Sequence, residues 1–128
     1  MEQRTTEWFT ARKGRVTGSN VAAILGDDPY RDADDVLRAM VRDYHNAPSE
    51  YQDNPAMAWG RANEATAIGE FELETGMTVT PCGFFAYEDW LGASPDGLID
   101  DDMVLENKCP YGIRNKPAPV SFKRFSDT

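Results

Sequence analysis

At Gly76 the chain changes its hydrophobic period, and that change limits the folds open to it. Before it, from about Met57 to Glu74, Trp59, Ala62, Ala65, Ile68, Phe71 and Leu73 recur near the 3.6-residue repeat. This spacing predicts one long helix with an apolar stripe, stopped by Gly76. After it come only short apolar or β-branched runs split by turn residues: Met77 to Thr80, Gly83 to Tyr87, Leu98 to Ile99 and Met103 to Leu105. These are too short for helices and are predicted as strands of a small sheet packed on the long helix.

The residues upstream extend the helical half. Thr5-Thr6-Glu7 ahead of Trp8 and Phe9 offers a capping hydroxyl and a first-turn acid, and Gly14 ends that short helix. Thr17 to Asn20 is expected to be a loop feeding a second helix, Val21 to Leu25, closed by Gly26. From Asp34, the spacing of Leu37, Met40, Val41 and Tyr44 predicts a third helix, and the polar run His45 to Pro55 a surface connection. Helices first and strands afterwards define an α+β class. A length of 128 residues with 41% hydrophobic content suits a single domain spanning 1–128.

Several classes drop out. No stretch approaches the ~18 consecutive apolar residues of a membrane span, and the N-terminus lacks the apolar centre of a signal peptide, so a soluble intracellular protein without a membrane partner is expected. Cys82 and Cys109 are too few for a disulfide framework and lack the paired spacing of a zinc site, which leaves structural thiols. The net charge of -9 argues against loose binding to nucleic acid. Its distribution qualifies this. Residues 1–26 carry four basic and two acidic side chains, and residues 106–128 five basic and two acidic. If the fold joins these ends, they form a local phosphate site within an otherwise acidic protein.

The chemistry concentrates near the strands. Ser94-Pro95-Asp96-Gly97 places an acid in a tight turn, and Glu106-Asn107-Lys108 follows the apolar Met103 to Leu105. If residues 103–108 continue as a strand, Glu106 and Lys108 share one face and Asn107 points away. With Asp96 from the neighbouring arm, that face offers two carboxylates and an ammonium, which suits Mg²⁺, its water and a phosphate. The Asn107 carbonyl is a candidate third oxygen ligand. On spacing alone the plainer alternative stays open: in a chain with 22 acids, a Pro-Asp-Gly hairpin turn and a solvated Glu-x-Lys ladder are ordinary surface features. Asp100-Asp101-Asp102 lacks the glycine and closing glutamate of a calcium loop and reads as a solvated turn.

Pro95-Asp96 with Glu106-Asn107-Lys108 is similar to the PD-(D/E)XK nuclease signature, and the chain around it resembles the phage lambda exonuclease and YqaJ-type viral recombinase family. Four blocks carry the resemblance in order: Trp8 to Arg12 with Gly14 to Ser19, Trp59-Gly60 with Glu64, Phe71-Glu72 with Thr75-Gly76, and Ser94 to Leu98 with Glu106 to Pro110. It implies a restriction-endonuclease-like core of N-terminal helices followed by a small mixed sheet. It further implies that Asp96, Glu106 and the Asn107 carbonyl hold Mg²⁺, or Mn²⁺ in its place. Lys108 then acts at the attacking water, and Glu64 is a further acid of the site. Arg12, Ser19 and Arg114 match positions that contact DNA phosphate, including the 5'-phosphate of the end being trimmed. The plain alternatives are an exposed helix acid for Glu64 and surface arginines for Arg12 and Arg114. Trp59 and Phe71 are read as core, His45 has no role, and Cys109 is a buried small hydrophobe.

The implied activity is Mg²⁺-dependent hydrolysis of DNA, most specifically a 5'-to-3' exonuclease on duplex ends in phage-type recombination. The implied setting is a bacterial host cytoplasm, beside a single-strand annealing protein, with a ring-shaped trimer as the family's assembly. Two alternatives stand beside it: a truncated or split piece that binds DNA or a partner without cutting, and a restriction-type endonuclease. The family fold continues into a helix with Tyr and Gln and a further strand, whereas Asn115 to Thr128 is polar with only Val120, Phe122 and Phe125 as apolar anchors. The expectation is therefore a fold incomplete at its C-terminus, with an exposed sheet edge beside residues 103–108. Asn107 departs from the apolar residue usual there.

Overall fold

A computed structural model describes residues 1–48 and 53–116. The middle of the connection expected over His45 to Pro55, and the anchors Val120, Phe122 and Phe125, lie outside the described residues.

Four helices come first. Helix α1, Thr6–Arg12, starts where Thr5 Oγ1 accepts the Trp8 N–H at 3.3 Å, with Glu7 in its first turn and Arg12 in its last. Helix α2, Gly18–Ile24, begins three residues before Val21. The small polar run there is the first helical turn and not a loop, because extended Thr17 turns its carbonyl to the N–H groups of Asn20 and Val21. Helix α3, Ala33–Tyr44, opens on a reciprocal cap between Asp32 and Asp35. Its buried residue is Val36, while Leu37, Val41 and Tyr44 of the expected apolar pattern face solvent.

Helix α4, Pro55–Thr75, is the long helix. Asn54 Oδ1 accepts the Met57 N–H at 2.9 Å, Pro55 occupies the first turn where no N–H is needed, and Gly76 closes it at φ 71. The face turned inward differs from the expected stripe. Trp59, Asn63, Glu64, Ile68, Phe71 and Glu72 are half-buried, whereas Ala62, Ala65 and Leu73 are exposed, Leu73 at 88%. Partners explain the polar members: Glu72 Oε2 accepts the Val79 N–H at 3.0 Å, and Asn63 Nδ2 donates to the Trp59 carbonyl at 2.9 Å. Hydrophobicity alone does not register such a mixed face.

The strands are β1 Val79–Thr80, β2 Phe85–Glu88, β3 Leu91–Ala93, β4 Gly97–Ile99 and β5 Met103–Leu105, followed by a 3-10 turn at Tyr111–Ile113. The α+β class is as expected, but the strands form two antiparallel sheets, β1-β4-β5 and β2-β3. Among the described residues parallel pairing is confined to Val16 beside Leu91. Strand β3 carries little hydrophobic signal because its centre is Gly92, over which the Phe84 ring lies; a Cβ there would strike the ring. Gly97 is equally constrained, since its Cβ would meet Val79 across the β1-β4 pair. Pairing of β5 ends at Leu105 and does not run to Lys108, yet Glu106 and Lys108 remain exposed while Asn107 is half-buried. Among the described residues the buried apolar side chains of the core are Ala23, Val36 and Ile99. Trp59, Phe71 and Cys109, expected inside, are half-buried.

Candidate active site

Residues 94–96 form the short link between the two sheets, and three elements meet on them. From α1, Trp8 Nε1 donates to Ser94 Oγ at 2.9 Å. From the N-terminal segment, Gln3 Nε2 donates to the Pro95 carbonyl at 2.8 Å. From the end of β5, the Asn107 N–H donates to Asp96 Oδ2 at 2.7 Å, while the Asp96 N–H donates to the Leu105 carbonyl at 3.1 Å. Gln3 and Trp8 of the N-terminal region and Asn107 of the C-terminal region thus meet at one turn, whereas the basic side chains expected to join there make their described contacts apart, Arg12 with Thr17 and Ser19, Lys108 with Glu106 and Arg114 with Tyr111.

Above Trp8 sits a polar cluster. The Arg12 guanidinium lies 4.2 Å from the centre of the Trp8 ring and reaches the hydroxyls of Thr17 at 3.4 Å and Ser19 at 3.3 Å. Those hydroxyls are 2.9 Å apart. Arg12 is half-buried, and desolvation lowers its pKa from the usual guanidinium value. A stacked, partly dehydrated guanidinium held beside two hydroxyls is a geometry suited to a phosphate oxygen. Thr17 is almost fully buried beneath it.

Behind Ser94 lies an acid pair. Glu64, on the inward face of α4, is close enough to Asp96 for hydrogen bonding and repulsion between the carboxylates. Burial first and the Asp96 charge second raise the Glu64 pKa above its ordinary 4.5, against an opposing pull from Arg4, whose guanidinium is 3.6 Å from Glu64 Oε2. Burial and then Asp96 likewise push the Cys82 thiol up, and Cys82 Sγ donates to the Pro95 carbonyl. An acid with a raised folded value lends stability that is complete below its unfolded value and lost as pH rises through the folded one. Metal-free Glu64→Gln is therefore expected to melt above the wild type at pH 7. The gap should close as pH falls to 4.5, and a gap that widened toward acid in thermal unfolding would contradict this.

The remaining expected residues stand apart. Lys108 Nζ pairs with Glu106 Oε1 at 3.1 Å, both largely exposed at 80% and 58%. Arg114 stacks on Tyr111 at 3.8 Å and donates to its carbonyl, and Tyr111 in turn meets Trp59 edge-on at 6.3 Å. Arg12 and Ser19 come together; Arg114 makes its described contacts elsewhere. Glu64 and Asp96 come together, with Glu106 turned to Lys108. Among the described residues no three His, Cys, Asp or Glu side chains converge as a metal cluster. The Glu64-Asp96 pair nonetheless fits a hard divalent cation chemically, since both supply carboxylate oxygens and such an ion would relieve the repulsion that raises the Glu64 pKa.

The sequence-based expectation missed Trp8, Thr17 and Ser94, which organise the phosphate-type cluster, and Gln3 and Arg4, which lie over the acids. Trp8 has a signal in its i, i+4 spacing from Arg12, which stacks them on one helix face.

Comparison with known proteins now adds identity. A model of the YqaJ-like viral recombinase domain matches residues 7–120. The chain is similar to the alkaline exonuclease LHK-Exo of Laribacter hongkongensis, at 32% identity and a TM-score of 0.69, covering 90% of this chain and 62% of that one. The structure of LHK-Exo in complex with dAMP matches with a TM-score of 0.71 at the same identity and coverage. The chain thus spans less than two thirds of the length of that exonuclease. No match is found among curated proteins. With residues 7–120, most of this chain, matched by the family's model, the chain belongs to the YqaJ-like viral recombinase family.

Proposed function

We propose that this chain is a divalent-metal-dependent deoxyribonuclease that trims duplex DNA from 5'-phosphorylated ends. The observation carrying this is the turn 94–96, which joins the Arg12-Ser19 cluster, through Trp8, to the Glu64-Asp96 pair. Likeness to an alkaline exonuclease supports it, as does the structure of that enzyme with dAMP, a mononucleotide of the kind exonucleolytic cleavage of DNA releases.

In this proposal Arg12, with the Thr17 and Ser19 hydroxyls, binds the terminal phosphate and sets how far the strand enters. Glu64, Asp96 and Glu106, with the Asn107 carbonyl, hold Mg²⁺, or Mn²⁺, which when bound stabilises negative charge developing on the scissile phosphate and makes water more acidic. Lys108 orients the attacking water or neutralises a phosphate oxygen, releasing Glu106 from the present pair. Arg114 contacts backbone phosphate farther along the strand. The proposal extends to partners implied by the family: a single-strand annealing protein, further copies of the chain, and a bacterial cytoplasm as the setting. Among the described residues no helix is long and apolar enough to cross a membrane.

A second reading, binding without cleavage, is favoured by one observation: the three acids do not converge. One experiment separates them. Purified protein with Mg²⁺ is expected to degrade linear 5'-phosphorylated duplex and spare closed circles, with Lys108→Ala inert. Cutting of circles at an equal rate would favour a restriction-type endonuclease. Retention of duplex without any Mg²⁺-dependent cleavage would favour the binding piece.

A further inference from the structure

The segment before α1 is a strap over the acid pair. Gln3 Nε2 fastens it by donating to two carbonyls, Pro95 at 2.8 Å and Cys82 at 3.3 Å. The Met1 carbonyl lies where a Cβ on Gly83 would sit. Thr5 Oγ1 donates to the Glu2 carbonyl at 2.8 Å, so the strap is tied at both ends.

Between these ties Arg4 adopts φ 64, a left-handed backbone that a side-chain-bearing residue takes up only against a steric cost. That turn carries the guanidinium to Glu64, at 3.6 Å. Arg4 is 51% exposed along its side chain and Glu64 only 23%. Among the described ion pairs, Arg4 is the cation at Glu64, and Lys108 is engaged by Glu106. The cation therefore sits at the mouth of the acid pair on a long, solvated stem. Its half-exposed side chain has solvent beside it on the outer side.

We infer that Arg4 is a resident counter-cation of the Glu64-Asp96 pair, which a divalent metal ion displaces on binding. Resting on the metal site proposed above, this adds a competitor built into the chain. The Asp96 charge bears on Glu64 and raises its pKa, and the Arg4 guanidinium, 3.6 Å from Glu64 Oε2, partly offsets that repulsion. A divalent ion held by these carboxylates would repel the guanidinium, so Arg4 would swing away, and giving up its ion pair with Glu64 would lower the apparent metal affinity. The arrangement keeps the pair balanced until metal arrives and sets the concentration at which it does.

The test is calorimetric titration of MnCl₂ into DNA-free full-length protein. Arg4→Gly removes the guanidinium at a position whose φ suits glycine, so the strap is not strained by the change. It is expected to bind Mn²⁺ about 10-fold tighter than the wild type, a coupling of ordinary size between two ligands of one site. Arg4→Lys should stay near the wild type, and Asp96→Ala should lose saturable binding. A parallel thermal melt should show a larger Mn²⁺-induced rise in Tm for Arg4→Gly. Equal or weaker affinity in Arg4→Gly, with Asp96→Ala still unable to bind, would overturn the counter-cation alone. Binding that survives Asp96→Ala unchanged, or no binding in any variant, would overturn the metal site and the counter-cation together.

Discussion

Asp96→Ala is expected to lower Mg²⁺-dependent hydrolysis of linear duplex by about 1,000-fold or more, as befits loss of several kcal/mol of charge stabilisation in the transition state. Asp96 is the side chain on which two parts of the site converge. Its charge bears on Glu64, and its carboxylate accepts the Asn107 N–H and so fixes the chain after β5 to the 94–96 turn. Alanine leaves that N–H without its partner, at a cost of about 1–3 kcal/mol in stability. Asp96→Asn separates the two effects, because an amide oxygen still accepts the N–H but no longer offers a negative charge. It should be as inactive as the alanine variant while unfolding in urea closer to the wild type. Rates measured on a 5'-phosphorylated duplex within tenfold of wild type in Asp96→Asn would remove this carboxylate from the chemistry.

Arg12→Ala should show a different signature: kcat/KM on 5'-phosphorylated ends falls about 100-fold, while 5'-hydroxyl ends are cut nearly as before. The guanidinium is pre-positioned by the Trp8 ring and by the Thr17 and Ser19 hydroxyls, so little ordering is left to be done on binding. Arg12→Lys should not restore the preference, since an ammonium neither stacks as a plane nor spans two oxygens. The decisive measurement is the ratio of rates on the two kinds of end at fixed salt. A ratio unchanged by Arg12→Ala would place end recognition elsewhere.

Local rules made the helix ends legible. Thr5 accepts an amide at the start of α1 and Gly76 closes α4 in a left-handed conformation, as expected, whereas the caps Asp32 and Asn54 lie upstream of the starts expected near Asp34 and Met57. What escaped depends on distant neighbours. Strand β3 exists because Phe84 needs the space above Gly92 and Val16 supplies an edge, neither of which its Leu-Gly-Ala composition signals. The inward face of α4 differs from the expected one because Glu64 and Glu72 are half-buried against partners, while Ala62 and Ala65 are left in solvent. At the site, Asp96 and Arg12 stood out by motif. Gln3, Arg4, Trp8 and Ser94 did not, because their roles arise from contacts between residues far apart in the chain.

Those separations bear on how the protein comes into being. The bonds from Gln3 to Cys82 and Pro95 and from Trp8 to Ser94 close loops of 79, 92 and 86 residues. Closing such loops costs chain entropy that only later contacts repay, so they form near the end of folding. On the ribosome, at about 5–20 residues per second, the first residues wait several seconds for their partners to be made. During that interval α1 and the segment before it have nothing to dock on, and the acids of α4 have no Asp96 beside them. Until residues 82–96 emerge, the nascent chain therefore carries no assembled site.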